Sequence, residues 1–280
     1  MGIELRVTGI RPSGVDAIDS SRGLDEFADQ WKGNGITGMV EDTTIEVWHA
    51  ASSTGEPGKL EQTCENWLDP SERLRADAFR VPTSRNQHVV GRGMARRLLS
   101  TEAIDPELIR FATEPHGKPY VVKPEQAKRP FNVAHTDGLV MCGLGNGTHR
   151  LVGVDVERLD RRTDPELAER FFSNPEVDFL RQCSAESTRQ ATFLKIWTLK
   201  ESFIKAIGTG LQTPLSDFAF RCIDSATPTI EMLNPKLNQG MTWRFFCFEP
   251  RPGFIGAIAV APYAADATVS IELRSFDELV

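Results

Sequence analysis

The chain has 280 residues, 40% hydrophobic and 25% charged, ordinary globular proportions that leave room for one large domain or two. Its net charge of −7 argues against a nucleic-acid partner or an anionic membrane surface. Five cysteines, widely spaced and without a Cys-x-x-Cys pair, indicate neither a disulfide framework nor a zinc site, so the reduced thiols of a cytoplasmic protein are expected.

Residues 1–42 read as an N-terminal extension, with a short strand at 3–7 and a helix near 24–31 as its only legible pieces. The opening Met-Gly-Ile-Glu-Leu-Arg has neither the apolar run of a signal peptide nor the hydroxyl at position six that myristoylation requires. The alternation Thr43-Thr-Ile45-Glu-Val47-Trp-His49 predicts the first strand of the main fold, followed by a Gly/Ser-rich loop over 52–58. Asp69-Pro70-Ser-Glu72 supplies a cap, an N1 proline and an N3 glutamate, the start of a helix. Ser84 and Gln87 open the next one, which gathers Val89, Val90, Met94, Leu98 and Leu99 on one face and carries Arg85, Arg92, Arg96 and Arg97 elsewhere. Arg73, Arg75, Arg80 and Arg85 concentrate positive charge in an acidic chain, either as a solvated face or as an anion site. Asp105-Pro106-Glu107 opens a short helix, and Gly117-Lys118-Pro119-Tyr120 turns into a strand. Phe131-Asn132-Val-Ala134-His135-Thr136 leads into an apolar run at 139–144 suited to a central strand.

Further on, Val152, Val154 and Val156 alternate with Gly153, Asp155 and Glu157, so both acids point to one side of a half-buried strand. Carboxylates about 6–7 Å apart along a strand repel each other. Either that face is solvated or a cation sits there, and Mg²⁺ suits oxygen ligands completed by substrate phosphates and water. Asp164-Pro165-Glu166 caps a helix through Phe171 and Phe172, and Asn174-Pro175 begins another. Ser187 with Gln190 as a capping box, and Gly208 and Gly210 as terminators, bound the longest helix. Its apolar residues, Phe193, Leu194, Ile196, Trp197, Phe203, Ile204 and Ile207, are too many for one stripe, so it should be buried on most sides. Trp197, Glu201 and Lys205 follow at i, i+4 and i+8 along nearly one line. Taken alone, Glu201 and Lys205 read first as a salt bridge worth about 0.2–0.5 kcal/mol. From Asp217 the chain is β-rich, with strands expected at 218–222, 229–233, 242–249, 254–261 and 268–273. The last apolar run, 254–261, stops at Pro262 and is too short to span a bilayer. Strand, helices and strands recur in each half, which predicts two similar α+β lobes meeting near Arg150 with a cofactor cleft between them.

The run Gly153-Val-Asp155-Val-Glu157, followed forty-four positions on (157 to 201) by Glu201 within Trp197-Thr-Leu-Lys200-Glu201-Ser-Phe-Ile-Lys205, resembles the 4'-phosphopantetheinyl transferases of the Sfp type. The resemblance runs from about Trp67 to the C-terminus and takes in Arg170-Phe-Phe-Ser-Asn-Pro-Glu-Val177, Gly117-Lys118-Pro119-Tyr120 and the Asn132 to Thr136 segment. It implies a pseudo-twofold pair of lobes, an N-terminal one (43–150) with the coenzyme A phosphate contacts and a C-terminal one (151–280) with a Mg²⁺ site and the catalytic helix. By the same resemblance Arg75 and His88, with Arg73 and Arg85 beside them, contact the 3'-phosphate of coenzyme A. Lys118 sits near the cofactor and His135 contacts its diphosphate. Where the family usually has Ser, this chain has Ala134, which removes a hydroxyl contact worth on the order of 1 kcal/mol and leaves backbone contacts in place. Asp155, Glu157 and Glu201 hold Mg²⁺, Glu201 acts as the base directly or through a metal-bound water, and Lys205 stabilises the leaving phosphate. Lys200, about 100° around the helix from Glu201, reaches phosphate from another side. The implied reaction moves the 4'-phosphopantetheine arm to a serine of an apo acyl or peptidyl carrier protein of a fatty-acid, polyketide or nonribosomal peptide synthase, releasing 3',5'-adenosine bisphosphate. A monomer is expected. A Mg²⁺-dependent hydrolase of a nucleotide pyrophosphate and a non-catalytic interaction protein are the alternatives.

Overall fold

In the computed structural model, which describes residues 42–164 and 166–280, β1 (Thr43–Ala51) comes first. The pieces expected within residues 1–41, and Pro165 of the Asp164 cap, lie outside the described residues. Alternation along β1 sends Ile45 and Val47 into one apolar cluster and Trp48 and Ala50 into another. Three helices follow, α1 (Lys59–Asn66), α2 (Pro70–Asp77) and α3 (Pro82–Leu99). The box read at Asp69 forms: Asp69 Oδ1 accepts the N–H groups of Ser71 and Glu72 at 2.9 and 3.0 Å, and Glu72 Oε2 accepts the Asp69 N–H at 3.2 Å. Helix α3 begins two residues before Ser84, at Pro82, whose fixed φ suits the first helical position.

A small hairpin, β2 (Arg110–Thr113) with β3 (Pro119–Lys123), precedes the antiparallel pair β4 (Phe131–Thr136) and β5 (Leu139–Leu144). The second half runs through β6 (His149–Arg158), the helices α4 (Leu167–Phe171), α5 (Asn174–Arg181) and α6 (Glu186–Ile207), and the strands β7 (Phe218–Arg221), β8 (Thr229–Met232), β9 (Arg244–Phe248), β10 (Phe254–Pro262) and β11 (Val269–Ser275). One sheet has the order β11-β1-β5-β4 and a second the order β6-β10-β9, with β7 and β8 a separate hairpin. The α+β class is as expected. The expected division after residue 150 is crossed by β11, which pairs in parallel with β1 from Thr43↔Val269 to His49↔Ser275 and so belongs to the first sheet. An edge strand left bare would expose a row of unpaired backbone groups, and β11 covers it.

Each half sets one long helix on a sheet. Val89, Val90, Met94 and Leu99 of α3 share an apolar cluster with Trp48, Ala50, Val140 and Cys142 on the outer face of the first sheet. The inner face, with Ile45, Val47, Leu139 and Met141, joins Val152, Val154, Val156, Ile258 and the buried residues of α6 in one cluster. The two halves therefore share a core, and each fully buried aliphatic or aromatic side chain in it contributes about 1.5–3 kcal/mol. Burial of α6 on most sides follows, with Phe203 against Phe218, Trp243 and Phe245. Its start differs from expectation: Ala185 is the N-cap with no side-chain cap, and the Gln190 amide donates to the Arg161 carbonyl instead of closing a box with Ser187. Its end is as read, with Gly208 at φ 72°, a left-handed position that glycine adopts without strain.

Candidate active site at the junction of the two lobes

Contact between β6 and α6 is backbone against backbone. A Cβ on Gly153 would lie 2.1 Å from the Ser202 carbonyl oxygen and 2.3 Å from the Ala206 nitrogen, so only glycine lets the helix sit this close. That seating brings Glu201 and Lys205 to Asp155, two residues along the strand. The Lys205 ammonium pairs with Asp155 Oδ1, while Asp155 Oδ2 is buried without a hydrogen-bond partner. Burial pushes the Asp155 carboxyl well above its ordinary range; Lys205 opposes the shift and the nearby charge of Glu201 adds to it. Glu201 is itself raised by burial, against the pull of Lys205. Glu157, 1% exposed, pairs with the Arg161 guanidinium and lies 3.5 Å from the Thr136 hydroxyl.

Two histidines of the first half of the chain are also shifted by burial. Burial lowers His135 of β4 to about 4, helped by the charges of Lys205 and His88. His88 of α3 is likewise held at about 4 by burial, then by Arg92 and Arg75. His88 thus feels the charges of Arg75 and Arg92, and His135 those of His88 and Lys205. Buried carboxyls can take a proton, and cations such as Lys205 can hold phosphate oxygens.

Comparison with known proteins fits this geometry. A family model described as the 4'-phosphopantetheinyl transferase superfamily matches residues 151–261. The 4'-phosphopantetheinyl transferase HetI of Nostoc sp. is 32% identical over 199 residues, 70% of this chain and 79% of that one. This chain belongs to the 4'-phosphopantetheinyl transferases. The transferase Sfp of Bacillus subtilis is 29% identical over 217 residues, 77% of this chain and 91% of its own, and gsp of Aneurinibacillus migulanus is 36% identical over 121 residues, 43% and 47% of the two chains.

Several residues expected at the transferase site stand differently. Lys200 is fully buried: its Nζ lies 2.7 Å from Glu176 Oε2 and donates to the carbonyls of Leu215 and Phe218 at 2.7 Å each, so it reaches no phosphate. The reason is helical phase, which turns Lys200 towards α5 and β7 as it turns Glu201 towards β6. Ala134 is 1% exposed within the shared core, on the opposite face of β4 from His135, and its side chain offers no cofactor contact. Lys118 donates from Nζ to the Ala206 carbonyl at 2.5 Å and is pushed down to about 8 by burial, tying the β2–β3 turn to the end of α6. Arg73 donates to the carbonyls of Leu68 and Asn66 at 3.1 and 3.0 Å, and Arg85 pairs with Glu65 and Asp77 at 2.6 and 3.3 Å, whereas Arg75 is exposed. Among the described residues no three or more His, Cys, Asp or Glu side chains are gathered to hold a metal ion, and Glu157 is paired with Arg161. The donors nevertheless suit a hard cation: an orphaned Asp155 oxygen and two carboxyls raised by burial.

Sequence reasoning missed three residues. Arg92, with Nε 3.6 Å from Glu72 and its guanidinium 5.3 Å above the Phe111 ring, looked no different from Arg96, which is wholly buried between Glu72 and Asp69. Asn132, whose Oδ1 accepts the Val154 N–H at 2.9 Å, links β4 to the carboxylate strand, and its place in the Asn132 to Thr136 motif was the available signal. Arg161 carried none, since its approach to Glu157 depends on the turn after β6.

Proposed function

We propose that this transferase moves the 4'-phosphopantetheine arm of coenzyme A to a serine hydroxyl of an apo carrier protein and releases 3',5'-adenosine bisphosphate, with Mg²⁺ as its cofactor. The observation that carries the reading is the buried Asp155 carboxylate, ion-paired with Lys205 and left with one oxygen unpartnered, with the buried Glu201 one helical turn before that lysine. Arg75 and His88 are the proposed donors to the 3'-phosphate, for which the exposed Arg75 guanidinium offers a planar fork. At pH 7 His135 is a neutral imidazole and can donate one hydrogen bond to a diphosphate oxygen without adding charge. Asp155, Glu157 and Glu201 are the residues that would hold Mg²⁺, and the bound ion supplies neutralisation of the pyrophosphate charge. A serine hydroxyl is a weak nucleophile until a base takes its proton, and Glu201, whose carboxyl burial raises above its ordinary range, is the base. Lys205 meets the charge that grows on the leaving oxygen. In this reading the catalytic lobe begins near residue 151, and the first lobe consists of residues 43–150 together with β11. The partners are carrier domains of fatty-acid, polyketide or nonribosomal peptide synthases, modified in the cytoplasm by a monomer.

The test is the intact mass of an apo acyl carrier protein after incubation with this protein, coenzyme A and Mg²⁺, beside a sample with EDTA. A phosphopantetheine-sized gain in the Mg²⁺ sample alone is expected. Coenzyme A degraded with no gain on any of several carriers would make the protein a pyrophosphate hydrolase. No change in either component would leave a non-catalytic interaction protein.

A further inference from the structure

Lys200 and Glu176 form a buried ion pair that the transfer chemistry does not use, and everything around it is satisfied. Glu176 Oε2 accepts from the Ser173 hydroxyl at 2.6 Å and the Ser173 N–H at 3.1 Å, and Oε1 accepts from the Phe220 N–H at 2.8 Å. Lys200 Nζ spends its protons on Glu176 and on the carbonyls of Leu215 and Phe218, and sits 4.3 Å from the centre of the Phe218 ring. One pair of side chains thus fastens α5, α6, the turn at 215–217 and β7. Both residues are 0% exposed.

The phase of α6 shows what this fastening fixes. At 100° per residue, Ser202 and Ala206 lie about 200° and 240° around the helix from Lys200, on the opposite side, and these two meet Gly153 of β6. Glu201 and Lys205, at about 100° and 140°, lie on the edge between the two held faces. Backbone contact alone limits how near α6 comes to β6 but does not stop it rolling or sliding. A specific ion pair with five further hydrogen bonds on the far face does. Energetics point the same way. A buried pair of charges adds little net stability over apolar side chains of equal volume, so its advantage is register.

We propose that Glu176 and Lys200 are positioning residues which set the rotation and register of α6 and thereby hold Glu201 and Lys205 against Asp155. This rests on the transferase reading above, and its test separates the two. Removing one charge strands the other, so the variant to compare with wild type is the double substitution Glu176→Gln with Lys200→Met, measured where thermal melts show both proteins fully folded, alongside Lys200→Met alone. Coenzyme A affinity is measured by calorimetry, transfer by steady-state kinetics, and mobility by hydrogen exchange of the α6 amides against those of α3. Expected for the double variant are a kcat lower by about 10- to 100-fold, the scale of an ångström-sized misplacement, with KM for coenzyme A within about twofold, and faster exchange in α6 but not in α3. A folded double variant with wild-type kcat and wild-type exchange would overturn the proposal. So would a Lys200→Met protein whose loss lies in coenzyme A affinity, which would make Lys200 a phosphate ligand after all. If wild type binds coenzyme A but transfers nothing, the function reading fails, and the exchange comparison still decides whether the pair holds α6.

Discussion

Burial holds His49, His88, His135 and His149, four of the five histidines, at about 4. His149 shows why most plainly. Its ring is 2% exposed, Nδ1 accepts the Asn146 N–H at 3.1 Å, and Nε2 lies 3.3 Å from the Thr43 hydroxyl, where the neutral ring donates. Protonation would put a second donor on Nδ1, facing an N–H. The folded imidazole binds its proton at about 4 and the unfolded one at 6.5. Between those values the unfolded chain holds more protons, so the contribution of His149 is complete above pH 6.5 and is lost as the pH falls towards 4. His149→Gln will be destabilised at pH 7.5, and its deficit in urea unfolding against wild type should shrink by about 1 kcal/mol per pH unit between pH 6.5 and 5, since the variant has no ring to protonate. A deficit constant across that range would show that His149 is not depressed. Transfer activity at neutral pH should be unaffected, as the residue lies away from the carboxylate pair.

Helix α6 and strand β6 carry the chemistry, and their contact depends on one missing side chain. Gly153→Ala puts a methyl group into backbone atoms of Ser202 and Ala206, which cannot move aside as a flexible side chain could. Overpacking of this kind costs about 1–3 kcal/mol or more. The expected outcome is a lowered melting temperature together with a transfer rate down at least about tenfold, because the helix that backs away takes Glu201 and Lys205 with it. Gly147→Ala, with nothing within 4 Å of the added carbon, is the control and should leave both unchanged. A Gly153→Ala protein with wild-type melting and rate would refute the close seating of the helix. Both elements were legible before the structure, because alternation in β6 and the all-round apolar content of α6 are local signals. The companions of their charged residues were not. Helical phase showed that Lys200 points away from Glu201, but Glu176 lies on another helix beyond an intervening turn, and no spacing rule connects the two. Glu157 likewise read as a free metal ligand because Arg161 reaches it only through the turn that follows the strand.

At the scale of the molecule, the least legible feature is also the one that closes the fold. Thr44 and Ser270, 226 positions apart, bring their hydroxyl oxygens to 3.0 Å where β11 lies beside β1. Alternation reveals a strand but not its neighbour, so the sequence alone leaves β11 with the strands it follows instead of the sheet it completes. Function links the two assignments: β4, which carries His135, is the far edge of the same sheet, and its inner face rests on β6. A chain ending at residue 267 therefore loses the parallel ladder along β1 and the cover that Phe276 gives Trp48 and Trp67. Buried side chains contribute about 1.5–3 kcal/mol each, and a domain's whole margin is about 5–15 kcal/mol, so losing this strand and the buried Phe276 should consume much of it. The truncated chain should show a broadened, early urea transition, with hydrogen exchange fastest in β1 and β5 and little change in α6. A sharp transition at the wild-type midpoint would mean that residues 43–150 form a sheet that needs nothing from the C-terminus.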